Sequence, residues 1–480
     1  MRRDELRVAA GVLPAVLLLD MSWRSYFFNF DGVACAIAVE LKDFRHLVHG
    51  NHLAYGVLGW LFDAALRGFG YRGGALWSLQ LLDGLLGAAG AAAFASILIR
   101  AGRTTREAAL AAAALAVSQA WWFWSLEAQV YMLGALFAAL AAREVLGENP
   151  RPAVAGALAA AAALGHVGHL MAVPALLWLL SRRKPASTRA FLLSLTGVLI
   201  AAYLAAGALA VRPSGARDVR LWLLGSAALN TKRSFLWHGA APPAALKSWS
   251  LMTLRIFCEF TGLPGVIKAA GVVLALLPLA AAARAARRGG ETARFWTLWL
   301  AGYAALYLCW EPYTIVYRIG DLIGLWALAD MGLDALPEAA RAWSLSAWIA
   351  AAGFYNWRAQ IAPNADPAAN ADYAEALWTA ERTPADAWAL AVGRGQVYLP
   401  YFAHRRPLNP LYWPGASLEA RLDALAASGQ PVFATDRALA ASEREPELRA
   451  YGVEPAASSD GLTLYRVRRE ANPTAEAGKD

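Results

Sequence analysis

The first long polar connection in the sequence, residues 22–55, contains acids, bases and aromatic residues together. It follows an apolar segment just long enough to enter a bilayer, where a simple membrane turn would need only a few polar residues. Asp31 lies early in this connection and is the candidate catalytic residue. The alternative role for Asp31 is structural, because Asp is also a favoured cap at the start of a helix.

Further polar clusters lie between later apolar segments, and the topology derived below places them all on the external side with Asp31. Polar groups at membrane depth are costly, so several on one face indicate a shared cavity. A loop carboxylate combined with cationic residues suits the transfer of a group from a lipid phosphate. The clusters comprise Glu40, Asp43, His46, His49 and His52; Glu127, Gln129 and Tyr131; His166 and His169; Lys232, Arg233 and His238; and Glu311, Tyr317 and Arg318.

Each of these clusters also has a structural explanation. His166 and His169 share a helix face, but no carboxylate is adjacent in sequence, so hydrogen bonds between helices are favoured and no metal ligands are assigned. Arg318 either snorkels to the membrane interface or, at the mouth of the cavity, recognises an anion. Glu127 either belongs to the site or pairs with a neighbouring helix.

The composition indicates a polytopic membrane protein. The 480 residues are 58% hydrophobic, with a mean hydropathy of +0.37, which is more apolar surface than one soluble core of this size buries. The net charge of +8 comes from short basic clusters between apolar segments, which the positive-inside rule explains without a nucleic-acid partner. Cys35, Cys258 and Cys309 are far apart and indicate neither a disulfide framework nor a cysteine metal site.

We predict about eleven membrane spans, with a cytoplasmic amino terminus and an external carboxyl terminus. With the amino-terminal segment as a retained first span, the basic clusters near residues 100–106, 143–151, 182–189 and 284–294 all fall on the cytoplasmic side. The predicted spans are Leu6–Met21, Leu76–Ile99, Glu107–Trp124, Ala128–Ala142, Pro152–Leu164, Leu170–Leu180, Ala190–Val211, Val266–Ala283, Phe295–Cys309, Ile319–Leu336 and Trp343–Tyr355.

This orientation requires that the amphipathic, aromatic segment at residues 52–66 lies in the outer interface and does not cross the membrane. A second interfacial helix is predicted at residues 242–260 on the same side. The alanine-, arginine- and glycine-rich composition favours a bacterial inner membrane with a periplasmic carboxyl-terminal region.

The character of the chain changes at about residue 356. A polar linker that contains proline is followed by a region of soluble-domain composition, which gives a predicted membrane domain at 1–356 and a small extracytoplasmic α/β domain at 357–480. Strands are predicted at 388–393, 431–436 and 461–469, and amphipathic helices at 372–383 and 418–428.

Three stretches resemble the GT-C superfamily of membrane glycosyltransferases, and most closely its protein O-mannosyltransferase-like branch. They are FDG at 30–32 followed by HGNHLAYGVLGWLF at 49–62, FWSLEAQVYMLGALF at 123–137, and LGHVGHLM at 164–171. The resemblance covers the membrane region. At the second-loop position where the family usually has Glu, this chain has Gln129, and Glu127 is the nearest substitute.

The resemblance implies a polytopic α-helical GT-C fold and an inverting glycosyltransferase. The donor would be a polyprenyl-phosphate-linked sugar in the membrane lipid, and the acceptor an extracytoplasmic protein, lipid or glycan. Asp31 would be the general base. The substrate-binding residues would be His49, His52, Glu127, Gln129, Tyr131, His169, Glu311 and Arg318. The resemblance leaves open whether Mg²⁺ or Mn²⁺ is required.

The alternative from another functional class is a membrane transporter or a flippase for lipid-linked glycans. Such a protein would have polar or broken helices near the bilayer midplane and often two related halves. In this sequence the polar residues gather at the predicted external helix ends, and no internal repeat is evident. The sequence therefore favours the enzyme.

Overall fold

The computed structural model describes residues 3–224, 241–413, 416–459 and 461–469. The chain divides into two compact units, one formed by Met1–Ser25 with Ala38–Ala365 and the other by Tyr26–Ile37 with Asp366–Asp480. The segment that contains Asp31 thus belongs to the same compact unit as the carboxyl-terminal region.

The first unit is helical. Its α-helices are Arg3–Met21, Phe44–Leu47, Tyr55–Gly68, Ala75–Arg100, Thr105–Val117, Gln119–Ser125, Tyr131–Leu146, Pro152–Gly165, Val173–Arg183, Thr188–Ala206, Ala216–Leu224, Pro242–Arg255, Gly265–Arg288, Glu291–Cys309, Ile319–Gly332, Glu338–Asn356 and Ala362–Asn364. Short 3₁₀ segments occur at Val167–Ala172, Pro185–Ser187, Val316–Arg318 and Leu333–Ala335, and π-helical turns at Gly207–Val211 and Trp357–Ile361. The helix Phe30–Leu41 begins in the second unit and ends in the first.

Within the described residues, three helices are long and apolar enough to cross a membrane: Ala75–Arg100, Pro185–Val211 and Gly265–Arg288. The apolar residues of Ala75–Arg100 are spread over all its faces, and the helix is mostly buried, as expected for a helix surrounded by other helices. The other predicted spans correspond to shorter or interrupted helices. The predicted interfacial segments form helices at Tyr55–Gly68 and Pro242–Arg255, and their depth in a membrane stays a prediction.

One predicted span is broken, because the region 107–124 forms two helices that meet at Ser118. At the break, the backbone N–H groups of Gln119 and Ala120 donate to the carbonyl oxygens of Phe257 and Ile256, each at 3.1 Å. Non-helical backbone is tolerated at membrane depth where other parts of the protein satisfy its polar groups. The only local signal for the break is the polar pair Ser118 and Gln119, which is too short to end a predicted span.

A buried ionic cluster joins the first helix to two later ones. Arg143 forms ion pairs with Glu5 and, at 2.6 Å, with Glu144, and it donates to Ser96 Oγ at 2.7 Å. Arg100 adds a contact of 3.1 Å to Glu5. Because each buried charge has an opposite partner, removing one of them would leave the other uncompensated.

The second unit contains a five-stranded sheet with the order β2-β1-β3-β5-β4. The strands are β1 Trp388–Leu390, β2 Arg406–Leu408, β3 Val432–Thr435, β4 Val453–Ser459 and β5 Leu462–Val467. β1 pairs in parallel with β2 and β3, and β5 pairs in the antiparallel sense with β3 and β4. The other segments of this unit are Pro367–Ala369, Ala371–Arg382, Gly395–Phe402, Pro410–Tyr412, Ala416–Ala427, Asp436–Ala440 and Glu445–Tyr451.

The predicted small α/β region is confirmed, and its two edge strands were not predicted. β1, β3 and β5 lie within the predicted strand segments, and the two predicted helices form within a residue or two of their expected ends. β2 and β4 contain Pro407 and Pro455, respectively. Proline cannot donate to a strand ladder and is confined to sheet edges, which weakens the sequence signal at both positions.

The contact between the helices Gly265–Arg288 and Ile319–Gly332 depends on a glycine. A Cβ at Gly332 would lie 2.0 Å from the carbonyl oxygen of Ala281, so the two backbones have no room for a methyl group.

We expect Gly332→Ala to force these helices apart and to lower the free energy of unfolding by about 1–3 kcal/mol, the usual cost of overpacking. Thermal unfolding of the purified protein in detergent measures the change. Gly197→Ala is the control, because nothing lies within 4 Å of its added Cβ and because Ala stabilises a helix more than Gly does. Equal stabilities for the two variants would contradict the packing role of Gly332.

Candidate active site

Asp31 lies in the first turn of the helix Phe30–Leu41, with an exposed side chain. The cap of this helix comes from another residue, because Asn29 Oδ1 accepts a hydrogen bond of 2.8 Å from the backbone N–H of Gly32. Asn and Asp are equally favoured caps. The structural alternative for Asp31, a capping role, is therefore taken by Asn29.

The backbone just before Asp31 is held by the carboxyl-terminal part of the same unit. Asn370 Nδ2 donates to the carbonyl oxygens of Tyr26, at 2.7 Å, and Phe27, at 3.0 Å. The Tyr398 hydroxyl donates to the carbonyl of Phe28. Phe28 has a φ of 46°, which is uncommon for a bulky residue, so these contacts fix a backbone conformation that costs energy on its own.

A cluster of buried acids and amides lies in the first unit. Glu127 is 1% exposed and accepts a hydrogen bond from the Ser25 hydroxyl. Gln80 Nε2 donates to the Ser25 carbonyl at 2.9 Å. Asp83, inside the helix Ala75–Arg100, is fully buried and accepts from the backbone N–H of Gln129 at 2.8 Å. Glu127 and Gln129 are thus both part of the packed interior.

Asp83 has a second donor, the Tyr55 hydroxyl, and both hydrogen bonds end on Oδ2. The chain thereby links the start of the helix Tyr55–Gly68, the helix Ala75–Arg100 and the loop before Tyr131 through one carboxylate. Sequence reasoning missed Asp83, although an acid inside an apolar span is by default a candidate for function. Asp20, with 1% exposure, is a second such acid.

Tyrosine and histidine rings pack against one another in the first unit. The Tyr131 ring lies 4.6 Å from His166 and 5.5 Å from Tyr317, measured between centroids. His169 Nδ1 lies 2.6 Å from the Tyr303 hydroxyl, which is a hydrogen bond to the helix Glu291–Cys309. This contact agrees with the interhelical role favoured for the histidine pair. Within the described residues, no group of three or more His, Cys, Asp or Glu side chains is placed to hold a metal ion.

The two histidines predicted to bind substrate in the first loop lie together. The His49 and His52 rings are stacked, with centroids 4.3 Å apart and planes 12° from parallel. Both are half-buried. Tyr203 donates to the carbonyl of the intervening Gly50 at 2.6 Å and fixes the turn between them.

Arg318 is 1% exposed and has local partners on each side of its guanidinium group. Nε pairs with Asp321, Nη1 donates to the carbonyl oxygen of Trp249 at 3.2 Å, and Nη2 donates to Thr253 Oγ1 at 3.0 Å. The guanidinium carbon lies 4.7 Å from the centre of the Trp249 ring. The sequence analysis missed Asp321. Glu311 is half-buried and accepts from the Thr314 hydroxyl at 2.7 Å in a local turn.

The predicted site residues therefore divide between the two units. Asp31 belongs to the second unit, and the other candidates belong to the first. Within the first unit, the structure brings Tyr131, His166 and Tyr317 together. Lys232, Arg233 and His238 lie outside the described residues.

No sequence-family model and no curated protein sequence matches the chain. Solved structures do match. ArnT from Cupriavidus metallidurans bound to undecaprenyl phosphate aligns over 97% of this chain and 98% of its own, with a TM-score of 0.67 and 13% identity. The chain has the fold of this membrane protein. The apo state of the same ArnT gives a TM-score of 0.66 over 96% of this chain and 97% of its own, also at 13% identity.

The oligosaccharyltransferase of Archaeoglobus fulgidus, in its apo form, aligns over 93% of this chain and 73% of its own, with a TM-score of 0.51 and 13% identity. The predicted polytopic α-helical fold of the GT-C type, with a small carboxyl-terminal α/β region, is confirmed.

We expect Asp83→Leu to destabilise the protein, because it leaves the Tyr55 hydroxyl and the Gln129 amide without their acceptor, at about 1–3 kcal/mol for each buried group. Asp83→Asn is the matched control, since its carbonyl oxygen can occupy the Oδ2 position and accept both hydrogen bonds. Thermal unfolding in detergent compares the two. Equal losses of stability would show that the hydrogen bonds contribute little.

Proposed function

We propose that the protein is an integral membrane glycosyltransferase that transfers a sugar from a polyprenyl-phosphate donor to an extracytoplasmic acceptor. The observation that carries the proposal is the fold shared along nearly the whole chain with an ArnT structure that holds undecaprenyl phosphate. A protein of this fold that uses a polyprenyl-phosphate-linked sugar takes its donor from the membrane and meets its acceptor at the membrane surface.

In this proposal Asp31 is the general base. An acceptor hydroxyl attacks the anomeric carbon, its proton passes to Asp31, and the bond from that carbon to the phosphate oxygen breaks, with inversion of configuration. The observation that supports this assignment is the solvent exposure of the Asp31 side chain. Asp20, Asp83 and Glu127 are buried, whereas Asp31 is exposed at the start of its helix and not required as its cap.

The departing lipid phosphate gains charge and needs donors that stabilise it. We assign this role to Arg318, with His49 and His52 beside the donor. For Arg318 to bind phosphate, its Nη groups must exchange the Trp249 carbonyl and Thr253 for phosphate oxygens, while Nε keeps Asp321. The paired arrangement holds the guanidinium in place before the donor arrives, which lowers the cost of ordering it.

The remaining predicted residues would shape the substrate site. Tyr131 contributes an aromatic face, and His169 keeps the ring of Tyr303 in place. Glu127 and Gln129 fix the loop before Tyr131 through their hydrogen bonds to Ser25 and Asp83. Glu311 orders the turn that leads to Arg318. The proposal locates the protein in a bacterial inner membrane, with a cytoplasmic amino terminus and a periplasmic carboxyl-terminal domain.

We expect Asp31→Asn to reduce sugar transfer by about 10²- to 10⁴-fold, the usual contribution of a positioned general base. Transfer of radiolabelled mannose, glucose and arabinose from polyprenyl phosphate is measured in membranes with matched expression, with and without EDTA to test for a divalent metal. Asp43→Asn is the control. Asp43 lies in the same loop and accepts from the His46 backbone as a helix cap, a role that Asn fills equally well.

A donor that gives equal transfer with the wild type and Asp31→Asn would remove Asp31 from the mechanism. If no donor is used by either protein, and labelled lipid crosses the membrane instead, the transporter or flippase alternative replaces the enzyme.

We expect Arg318→Met to lower kcat/KM for the donor by about 10²-fold or more, by removing a charge-stabilising donor. Because this variant also leaves Asp321 buried without its ion pair, the test uses the double variant Arg318→Met with Asp321→Leu, which replaces the pair with apolar groups and restores stability. Transfer should stay lost in the double variant although thermal stability recovers. If both sugar transfer and thermal stability recover in the double variant, the Arg318–Asp321 ion pair has only a structural role.

A further inference from the structure

The second unit contains a cavity of about 470 Å³. It lies at the carboxyl ends of β1 and β3, where the chain turns into the helices Gly395–Phe402 and Asp436–Ala440. In open α/β sheets, ligands bind in the crevice at the carboxyl ends of parallel strands. The volume is within the range of small-molecule sites in proteins.

One wall of the cavity carries a buried hydroxyl group without a hydrogen-bond partner in the described part of the chain. Thr379 lines the cavity from the helix Ala371–Arg382, is 1% exposed, and its Oγ1 makes no hydrogen bond there. Leaving a buried polar atom unpaired costs about 1–3 kcal/mol. A ligand hydroxyl in the cavity would supply the missing partner.

The charged groups of the cavity are already paired with each other. Arg437 contacts Glu375 at 2.9 Å and Asp372 at 3.1 Å, and the Thr435 hydroxyl donates to Glu375. Burial raises the pKa of Glu375, which favours its neutral form. Asp372 also lies 3.9 Å from Arg394, so two carboxyl groups face two guanidinium groups, and the site offers no excess positive charge for a phosphate or a carboxylate.

The remaining walls are apolar and include Leu390, Phe433 and Leu464. A pyranose matches both features of this cavity, its paired polar groups and its apolar walls. Its hydroxyl groups can both donate to carboxyl oxygens and accept from guanidinium and threonine groups, and its C–H face is apolar enough to pack against aliphatic and aromatic side chains.

We propose that this cavity binds a neutral saccharide unit through Thr379, Glu375, Asp372 and Arg437, with its C–H face on Phe433. The site is separate from the transfer chemistry assigned to Asp31. Tyr398 is among the residues that line the cavity, and its hydroxyl donates to the carbonyl oxygen of Phe28.

The test is saturation-transfer NMR on the full-length protein in detergent, without any lipid donor. The probes are the methyl glycosides of glucose, mannose and arabinose, with methyl phosphate and ethanolamine as charged probes that also carry observable C–H protons. We expect at least one glycoside to bind. Its dissociation constant should rise about tenfold in Thr379→Val and in Glu375→Gln, the equivalent of one lost hydrogen bond.

Thr379→Ser keeps the hydroxyl and should bind as the wild type does. Glu381→Gln is the matched control for Glu375→Gln, because Glu381 is an exposed carboxylate on the same helix. Thermal unfolding confirms that each variant is folded. The proposal is overturned if no glycoside binds the folded wild type, if binding is the same in all variants, or if only a charged probe binds. None of these outcomes depends on sugar transfer, so the proposal can fail while the transferase assignment stands.

Discussion

The constraint on which the helical unit depends is that buried polar groups in so apolar a chain must find most of their partners inside the protein. Asp83 shows how this is met. Its Oδ2 accepts from the Tyr55 hydroxyl and the Gln129 backbone, and so ties a helix start and a loop to the middle of the helix Ala75–Arg100. Hydrogen bonds and packing hold helices together where the surrounding lipid supplies no hydrophobic driving force. The cluster around Arg143 does the same for the first helix.

This constraint also separates supporting acids from those that can react. A carboxylate surrounded by donors in the interior is already committed to them, and a proton from an acceptor outside cannot reach it without rearrangement. Asp31, the proposed base, is exposed, and Asn29 caps its helix. The short strained segment through Phe28 then sets where the helix of Asp31 begins.

Hydropathy alone predicted most of the helices and the small α/β region, because both follow from local patterns of apolar residues. It did not predict the break at Ser118, since the partners of the two amides there are Ile256 and Phe257, far along the chain. The proximity of Tyr131 to Tyr317 likewise depends on long-range packing. Asp83 is visible in the sequence as an acid in an apolar run, but its partners Tyr55 and Gln129 are set by long-range packing.

The contacts between Asn370 and the carbonyl oxygens of Tyr26 and Phe27 join residues that are as many as 344 positions apart. At a synthesis rate of about 5–20 residues per second, Tyr26 is synthesised roughly 20–70 seconds before Asn370. During that interval the segment around Phe28 has none of its final partners from the carboxyl-terminal region. The segment just before the proposed base therefore acquires its contacts to Asn370 late in biogenesis, after the helices that follow it have been synthesised.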